Sequence, residues 1–113
     1  MDLEKLAAAD INCEEGIGRF IGNRELYEKF VAKFPEDPTF AAMESAMESG
    51  DVQEAFRQAH TLKGVTGNLS FIGLYESVKP LVEALRSGDL ELARRLNAPV
   101  QEAYRRVIAA IQA

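Results

Sequence analysis

The stretch SGDVQEAFRQAHTLKGVTGNLS, residues 49–70, contains one complete helix together with the signals that begin and end it. Gly50 can end a preceding helix and Asp51 can cap the next one, while the run Gly-Asn-Leu-Ser at 67–70 stops it. Between these signals, apolar residues recur every three or four positions, as on a helix with one buried face. The predicted buried stripe consists of Val52, Ala55, Phe56, Ala59, Leu62 and Thr66.

The same punctuation recurs along the chain and divides it into helices. A second Ser-Gly-Asp turn at 87–89 repeats the one at 49–51, and no segment shows the alternation typical of a strand. We therefore predict an all-α fold, an antiparallel up-down four-helix bundle whose short loops join consecutive neighbours. Its helices span roughly 37–49, 51–67, 71–87 and 89–112. Pro80 predicts a kink, and the Asn97–Pro99 segment predicts a kink or a restart.

Short helices are predicted to precede the bundle and cover it. Asn12, with Glu15 three residues later, resembles a capping box, and Gly22 closes the helix that follows. Asn23 then caps a second helix over Arg24–Phe34. We expect one domain over 1–113, with covering helices in 1–35 and the bundle in 36–113.

Composition excludes several classes of function. The chain has 113 residues, 47% hydrophobic and 27% charged, which suits one globular domain. A net charge of −5 argues against nucleic-acid binding, which depends on neutralising phosphates. Cys13 is the only cysteine, so neither an internal disulfide nor a cysteine-based metal cluster can form. The apolar runs are too short to cross a bilayer. We expect a cytoplasmic monomer without membrane contact.

His60, the only histidine, lies on the shoulder of the predicted helix, about 100–120° from the middle of the apolar stripe. Gly64 and Gly67 share that shoulder, although each costs a helix interior about 0.5–1 kcal/mol relative to alanine. Lys63 stands one turn from the imidazole. A neutral imidazole can attack a phosphoryl group, an ammonium offsets the anionic charge, and glycines let a partner approach. This combination favours phosphoryl transfer on His60.

Other chemistries of a histidine find less support in the sequence. A metal site would need several carboxylates, because the chain has one histidine and one cysteine, and ligand spacings such as HExxH are absent. A Ser-His-Asp triad lacks a nucleophile motif such as GxSxG. No Gly-rich nucleotide loop or kinase motif is present, so we expect no autonomous kinase activity.

The residues around His60 resemble the histidine-containing phosphotransfer (Hpt) domains of two-component phosphorelays. The run AHTLKG at 59–64, followed by Gly-Asn-Leu at 67–69, is similar to the hallmark of that family. The segments at 16–34 and 82–89 are similar to its flanking helices, whereas Ser70 replaces a glycine often found after Asn-Leu. The resemblance implies a four-helix bundle whose histidine accepts a phosphoryl group from a receiver-domain aspartate and passes it to another receiver.

Carried over by position, the resemblance implies that His60 is the phosphoryl acceptor and Lys63 its charge stabiliser. Partners would be response-regulator receiver domains, a hybrid sensor histidine kinase, or both. The chain itself would need no cofactor or metal, because the Mg²⁺ for transfer belongs to the receiver. Many relatives have Gln or Glu near position 82, where this chain has Val82.

The docking surface for a receiver is expected to surround His60. We predict that its partner-binding residues are Gln53, Arg57, Gly64, Gly67, Asn68 and Lys79. Lys79 could supply a second cation from the facing helix or be an ordinary surface lysine. Phe56 belongs to the apolar stripe, and we assign it to the core.

Two alternative functions remain open at the level of sequence. The chain could be a helical adaptor that docks a partner without chemistry, although such a module needs neither Lys63 nor the two glycines. It could also be an Hpt module that a kinase domain phosphorylates in trans.

Overall fold

The computed structural model describes all 113 residues and consists of helices without a strand. The seven α-helices are α1 (Leu3–Ala8), α2 (Cys13–Arg19), α3 (Arg24–Lys33), α4 (Thr39–Ser49), α5 (Val52–Asn68), α6 (Ile72–Arg86) and α7 (Leu90–Gln112). A single 3₁₀ turn, Phe34–Glu36, separates α3 from α4. The all-α prediction is therefore confirmed. No helix has both the length and the apolar character that crossing a membrane requires.

Helices α4 to α7 form the predicted four-helix bundle. Each packs against the next along the chain, so α4 contacts α5, α5 contacts α6, and α6 contacts α7. Side chains close the ring between α4 and α7. The rings of Phe40 and Tyr104 stack with their centroids 3.8 Å apart, and the Asn97 amide donates to the Glu44 carboxylate at 2.9 Å. Consecutive helices joined by short turns run antiparallel, which gives the up-down arrangement.

Four helices, α2, α3, α5 and α7, begin at residues that the sequence nominates as caps. The side-chain oxygens of Asn12, Asn23, Asp51 and Asp89 each accept the backbone N–H three residues later, at 3.0–3.1 Å. The glycines of the two Ser-Gly-Asp turns have φ of +80° and +77°, a left-handed conformation that favours glycine. Local sequence chemistry therefore sets these four helix starts and the two turns.

The observed helices differ from the predicted ones in two places. Helix α1 was not predicted, although Asp2 caps it by accepting the N–H groups of Glu4 and Lys5, and Leu6 is fully buried. Because only one side chain of α1 is buried, its sequence shows no recognisable helical repeat of apolar residues. Helix α4 begins at Thr39 instead of residue 37, because the Asp37 carboxylate accepts the Thr39 N–H at 2.8 Å.

Neither internal proline interrupts its helix. Helix α6 continues through Pro80 and α7 continues through Pro99, so the restart considered near Asn97–Pro99 does not occur. Both prolines are exposed, so the carbonyl that each leaves unpaired lies on the solvent side of its helix. The kinks at these positions stay predictions.

The N-terminal helices cover the end of the bundle where α5 turns into α6. The Tyr27 hydroxyl donates to the Leu69 carbonyl at 2.7 Å, and the Asn12 N–H donates to the Ser70 carbonyl at 2.9 Å. These bonds fix α2 and α3 against the loop that follows α5. As a result, α2 lies beside the C-terminal half of the helix that carries His60.

Ser70 ends α5 in a conformation that favours glycine. Its φ is +57°, and the Phe71 N–H donates back to the Thr66 carbonyl at 2.9 Å, as in a Schellman turn. The Ser70 hydroxyl donates to the Glu15 carboxylate at 2.9 Å. This bond compensates in part for the left-handed backbone and ties α2 to the turn.

Candidate functional site

His60 projects from α5 into solvent. Its neighbours Ala59 and Leu62 are buried in the core, whereas His60 is exposed. No hydrogen bond holds its imidazole, and the aromatic ring nearest to it belongs to Phe56, with centroids 5.9 Å apart and planes inclined by 39°. The predicted shoulder position is confirmed, because the helix presents the imidazole beside its buried stripe.

A cavity of about 390 Å³ opens next to the imidazole. Helix α5 contributes five of the residues around it, and α2 and α6 supply the remaining walls. Its lining residues are His60, Lys63, Gly64, Gly67, Asn68, Glu15, Arg19, Ile72, Tyr75 and Glu76. The structure therefore brings five of the residues selected from the sequence to one depression.

The two glycines of the cavity lie in different surroundings. A Cβ atom added at Gly64 would meet nothing within 4 Å, so this part of the surface is open. A Cβ atom at Gly67 would come within 3.1 Å of the Tyr75 ring, which is closer than ordinary packing. Gly64 leaves room for an approaching molecule. The same expectation for Gly67 needs correction, because the Tyr75 ring occupies the space beside it, and Gly67 instead lets α6 pack closely against α5.

The cations near His60 differ in their pairing. Arg57 binds Glu54 at 2.7 Å, Lys79 binds Glu76 at 3.2 Å, and Arg19 lies 3.5 Å from Glu15. Lys63 has no carboxylate oxygen within 4 Å. It is thus the cation of the cavity wall that is free to meet an anion.

Helix α6 offers no polar side chain that hydrogen-bonds the imidazole. Val82 is fully buried, as is Val78 one turn earlier, so both belong to the core. Lys79 is exposed and lies 5.5 Å from the centre of the Tyr75 ring, outside the lining of the cavity. At position 82, where many relatives have Gln or Glu, the valine of this chain packs in the core.

The remaining predicted residues lie towards the N-terminal end of α5. Gln53 and Arg57 line a second depression of about 570 Å³ together with Phe56 and with Arg86 of α6. The two depressions flank His60 along the helix. Phe56 is half-buried, so it belongs to the edge of the core and also to the surface beside the histidine.

The sequence did not predict that five further residues line the cavity: Glu15, Arg19, Ile72, Tyr75 and Glu76. Those of α6 could have been found by folding the antiparallel α5–α6 hairpin at its turn, which brings Tyr75 opposite Gly67. Those of α2 depend on how the N-terminal cover docks, and no local signal reports that docking.

Comparison with protein families gives a match over most of the chain. A family model described as "Hpt domain" matches residues 25–113, which include His60 and all of α4 to α7. Comparison with curated proteins and with solved structures gives no match. The matched region begins inside α3 and leaves α1 and α2 outside it.

Proposed function

Since the chain belongs to the Hpt domain family, whose members serve histidine phosphotransfer in phosphorelays, we propose that His60 is its phosphoryl carrier. His60 accepts the group from a receiver-domain aspartate and passes it to the aspartate of another receiver. The observation that carries the proposal is the exposed, unbonded imidazole beside the unpaired Lys63 and the open surface at Gly64.

The transfer is an in-line displacement at phosphorus. A ring nitrogen of neutral His60 supplies the electron pair of a new N–P bond, the P–O bond to the receiver aspartate breaks, and its electrons return to that carboxylate. The second ring nitrogen keeps its proton. The Lys63 ammonium offsets the negative charge of the phosphoryl oxygens during the transfer and afterwards. Every step reverses when the group moves on to a second receiver.

The surrounding residues receive roles according to their exposure. Gly64 lets the receiver's loops come close to α5, and Gln53, Arg57 and Asn68 contact the receiver around the histidine. Lys79 contributes a second, weaker cation because Glu76 already binds it. Gly67 acts indirectly, by letting Tyr75 form the cavity wall.

Partners and location follow from this chemistry. The partners are response-regulator receiver domains, alone or within a hybrid sensor histidine kinase, and the Mg²⁺ for the reaction lies in the receiver. Members of the family are phosphocarriers and not kinases, and we propose the same for this chain. We further propose that residues 1–113 act as one monomeric domain in the cytoplasm, without nucleic acid or membrane.

A two-step transfer experiment distinguishes a carrier from a helical adaptor. The chain is loaded from a phosphorylated receiver with Mg²⁺, separated from that receiver, and mixed with a second receiver. A carrier gives up the label to the second receiver, whereas the same receiver with its acceptor aspartate changed to asparagine takes none. An adaptor would bind both receivers without acquiring label. A chain labelled only by a kinase domain with ATP, and by no receiver, would favour phosphorylation in trans.

A further inference from the structure

His60 has no hydrogen bond, and Phe56 is the neighbouring side chain that can restrict its orientation. It precedes the histidine by four residues and therefore lies on the same face of α5, one turn away. The two ring centroids are 5.9 Å apart. The phenyl ring is half-buried and packs against the core, whereas the imidazole is exposed and has no hydrogen bond.

An arginine from the facing helix holds the phenyl ring. The guanidinium carbon of Arg86 lies 4.9 Å from the centre of the Phe56 ring, within the range of a cation–π contact. The Nε atom of Arg86 in turn donates to the two carboxylate oxygens of Glu83, at 3.2 and 3.4 Å. A continuous series of contacts thus runs from Glu83 through Arg86 and Phe56 to His60.

Helix α6 reaches the imidazole indirectly, because its Arg86 contacts the Phe56 ring that lies beside His60. Val82 is buried in the core, and no polar side chain of α6 bonds to His60. An exposed side chain without a hydrogen bond samples several rotamers, of which few point a ring nitrogen along the line of attack. A neighbouring ring that excludes some rotamers raises the population of the productive ones.

We propose that Phe56 is a positioning residue for phosphoryl transfer, and that Arg86 of α6 keeps its ring in place. The proposal rests on the proposed function of His60 and adds to it the source of the imidazole's orientation. Phe56 acts through His60 and needs no contact with the receiver. Its contribution should therefore affect the rate of the chemical step more than the concentration of receiver needed for that rate.

Variants of the ring and of the arginine separate positioning from packing. Phe56→Leu keeps an apolar side chain of similar size without an aromatic ring, and Phe56→Tyr restores the ring. Arg86→Ala removes the cation, and Arg105→Ala is its matched control, because Arg105 pairs with Glu102 at the same spacing on α7. Each variant is phosphorylated by a receiver and by phosphoramidate, a small donor that needs no docking. The imidazole proton shifts of His60 are recorded by NMR.

We expect Phe56→Leu to lower the maximal rate about tenfold with both donors, at an unchanged half-saturating concentration of receiver. Its His60 protons lose the ring-current shift, and Phe56→Tyr recovers both the rate and the shift. Arg86→Ala lowers the rate about two- to fivefold, as an exposed cation–π contact allows, whereas Arg105→Ala equals the wild type.

The inference is overturned if the wild type accepts phosphate and Phe56→Leu accepts it at the same rate, with the His60 proton shifts of the wild type. It is also overturned if the loss lies only in the half-saturating concentration of receiver, which would make Phe56 a docking residue. If neither donor phosphorylates the wild type, the proposed function fails and the inference fails with it.

Discussion

The ring of Tyr75 lies against Gly67 so closely that a Cβ atom at position 67 would stand 3.1 Å from it. Gly64, one turn earlier on the same helix, has no such neighbour within 4 Å. The two glycines therefore have different structural roles on the same surface of α5. Gly67 permits the contact between α5 and α6 that builds the cavity wall, and Gly64 leaves the approach to His60 open.

Substitution of Gly64 by leucine should block transfer without unfolding the bundle. The new side chain would project into open space, so it meets no core residue but occupies the path of the receiver. We expect the transfer rate from a receiver to fall at least about a hundredfold, while the circular dichroism spectrum and unfolding midpoint stay near those of the wild type.

Gly18→Leu is the matched control for this substitution, because Gly18 is also helical and has no atom within 4 Å of an added Cβ. It should transfer normally. A Gly64→Leu variant that transfers at the wild-type rate would show that access at this position is unnecessary.

Removal of the Lys63 ammonium should slow transfer far more than removal of the Lys79 ammonium. Lys63 has no ion pair, whereas Glu76 already binds Lys79. We expect Lys63→Ala to lower the transfer rate about tenfold to a hundredfold and Lys79→Ala less than about threefold. Initial rates from a phosphorylated receiver measure both. Equal losses in the two variants would contradict the assignment of Lys63 as the charge stabiliser.

Tyr27 should make the fold sensitive to alkaline pH. Burial raises the pKa of its phenol well above the ordinary value, and the hydroxyl donates to the Leu69 carbonyl. Because the folded chain favours the protonated form, this stabilisation is complete below the unfolded pKa of about 10 and is lost as the pH rises beyond it. We expect Tyr27→Phe to cost about 1–2 kcal/mol at neutral pH.

The free energy of unfolding, measured by urea titration between pH of about 8 and about 11, tests this prediction. The difference between the wild type and Tyr27→Phe should shrink as the pH rises. Burial also raises the pKa of Tyr104, and Tyr27 has no part in that shift, so both proteins should share a remaining alkaline loss. A difference that stays constant across this range would refute the role given to the phenol.

Replacement of Ile21 by glycine should raise the free energy of unfolding. This β-branched residue has φ of +58° and is 98% exposed, so it adopts a left-handed backbone without burying its side chain. We expect Ile21→Gly to raise the free energy of unfolding by about 1 kcal/mol, since it removes the steric cost and loses almost no contact. Chemical denaturation measures the change, with Ile17→Gly, a part-buried position in α2, as a destabilised comparison. Lower stability of Ile21→Gly would show that the exposed side chain supports the fold.

Features set by neighbours in sequence could be predicted, and those set by packing between helices could not. The caps at Asp51 and Asp89 and the shoulder position of His60 follow from residues within one or two turns. The packing of Tyr75 on Gly67 and of Arg86 on Phe56 depends on how α6 is rotated about its own axis. The apolar period of α6 fixes that rotation only to within about one residue.

Direct labelling of the chain tests whether His60 carries the phosphoryl group. Wild-type protein and His60→Ala are incubated with a phosphorylated receiver and Mg²⁺, and the bound phosphate is measured before and after brief acid treatment. We expect one acid-labile phosphate on the wild type and none on His60→Ala, which should remain folded because the imidazole is exposed and unbonded. Label that persists on folded His60→Ala would show that a residue other than His60 carries the phosphoryl group.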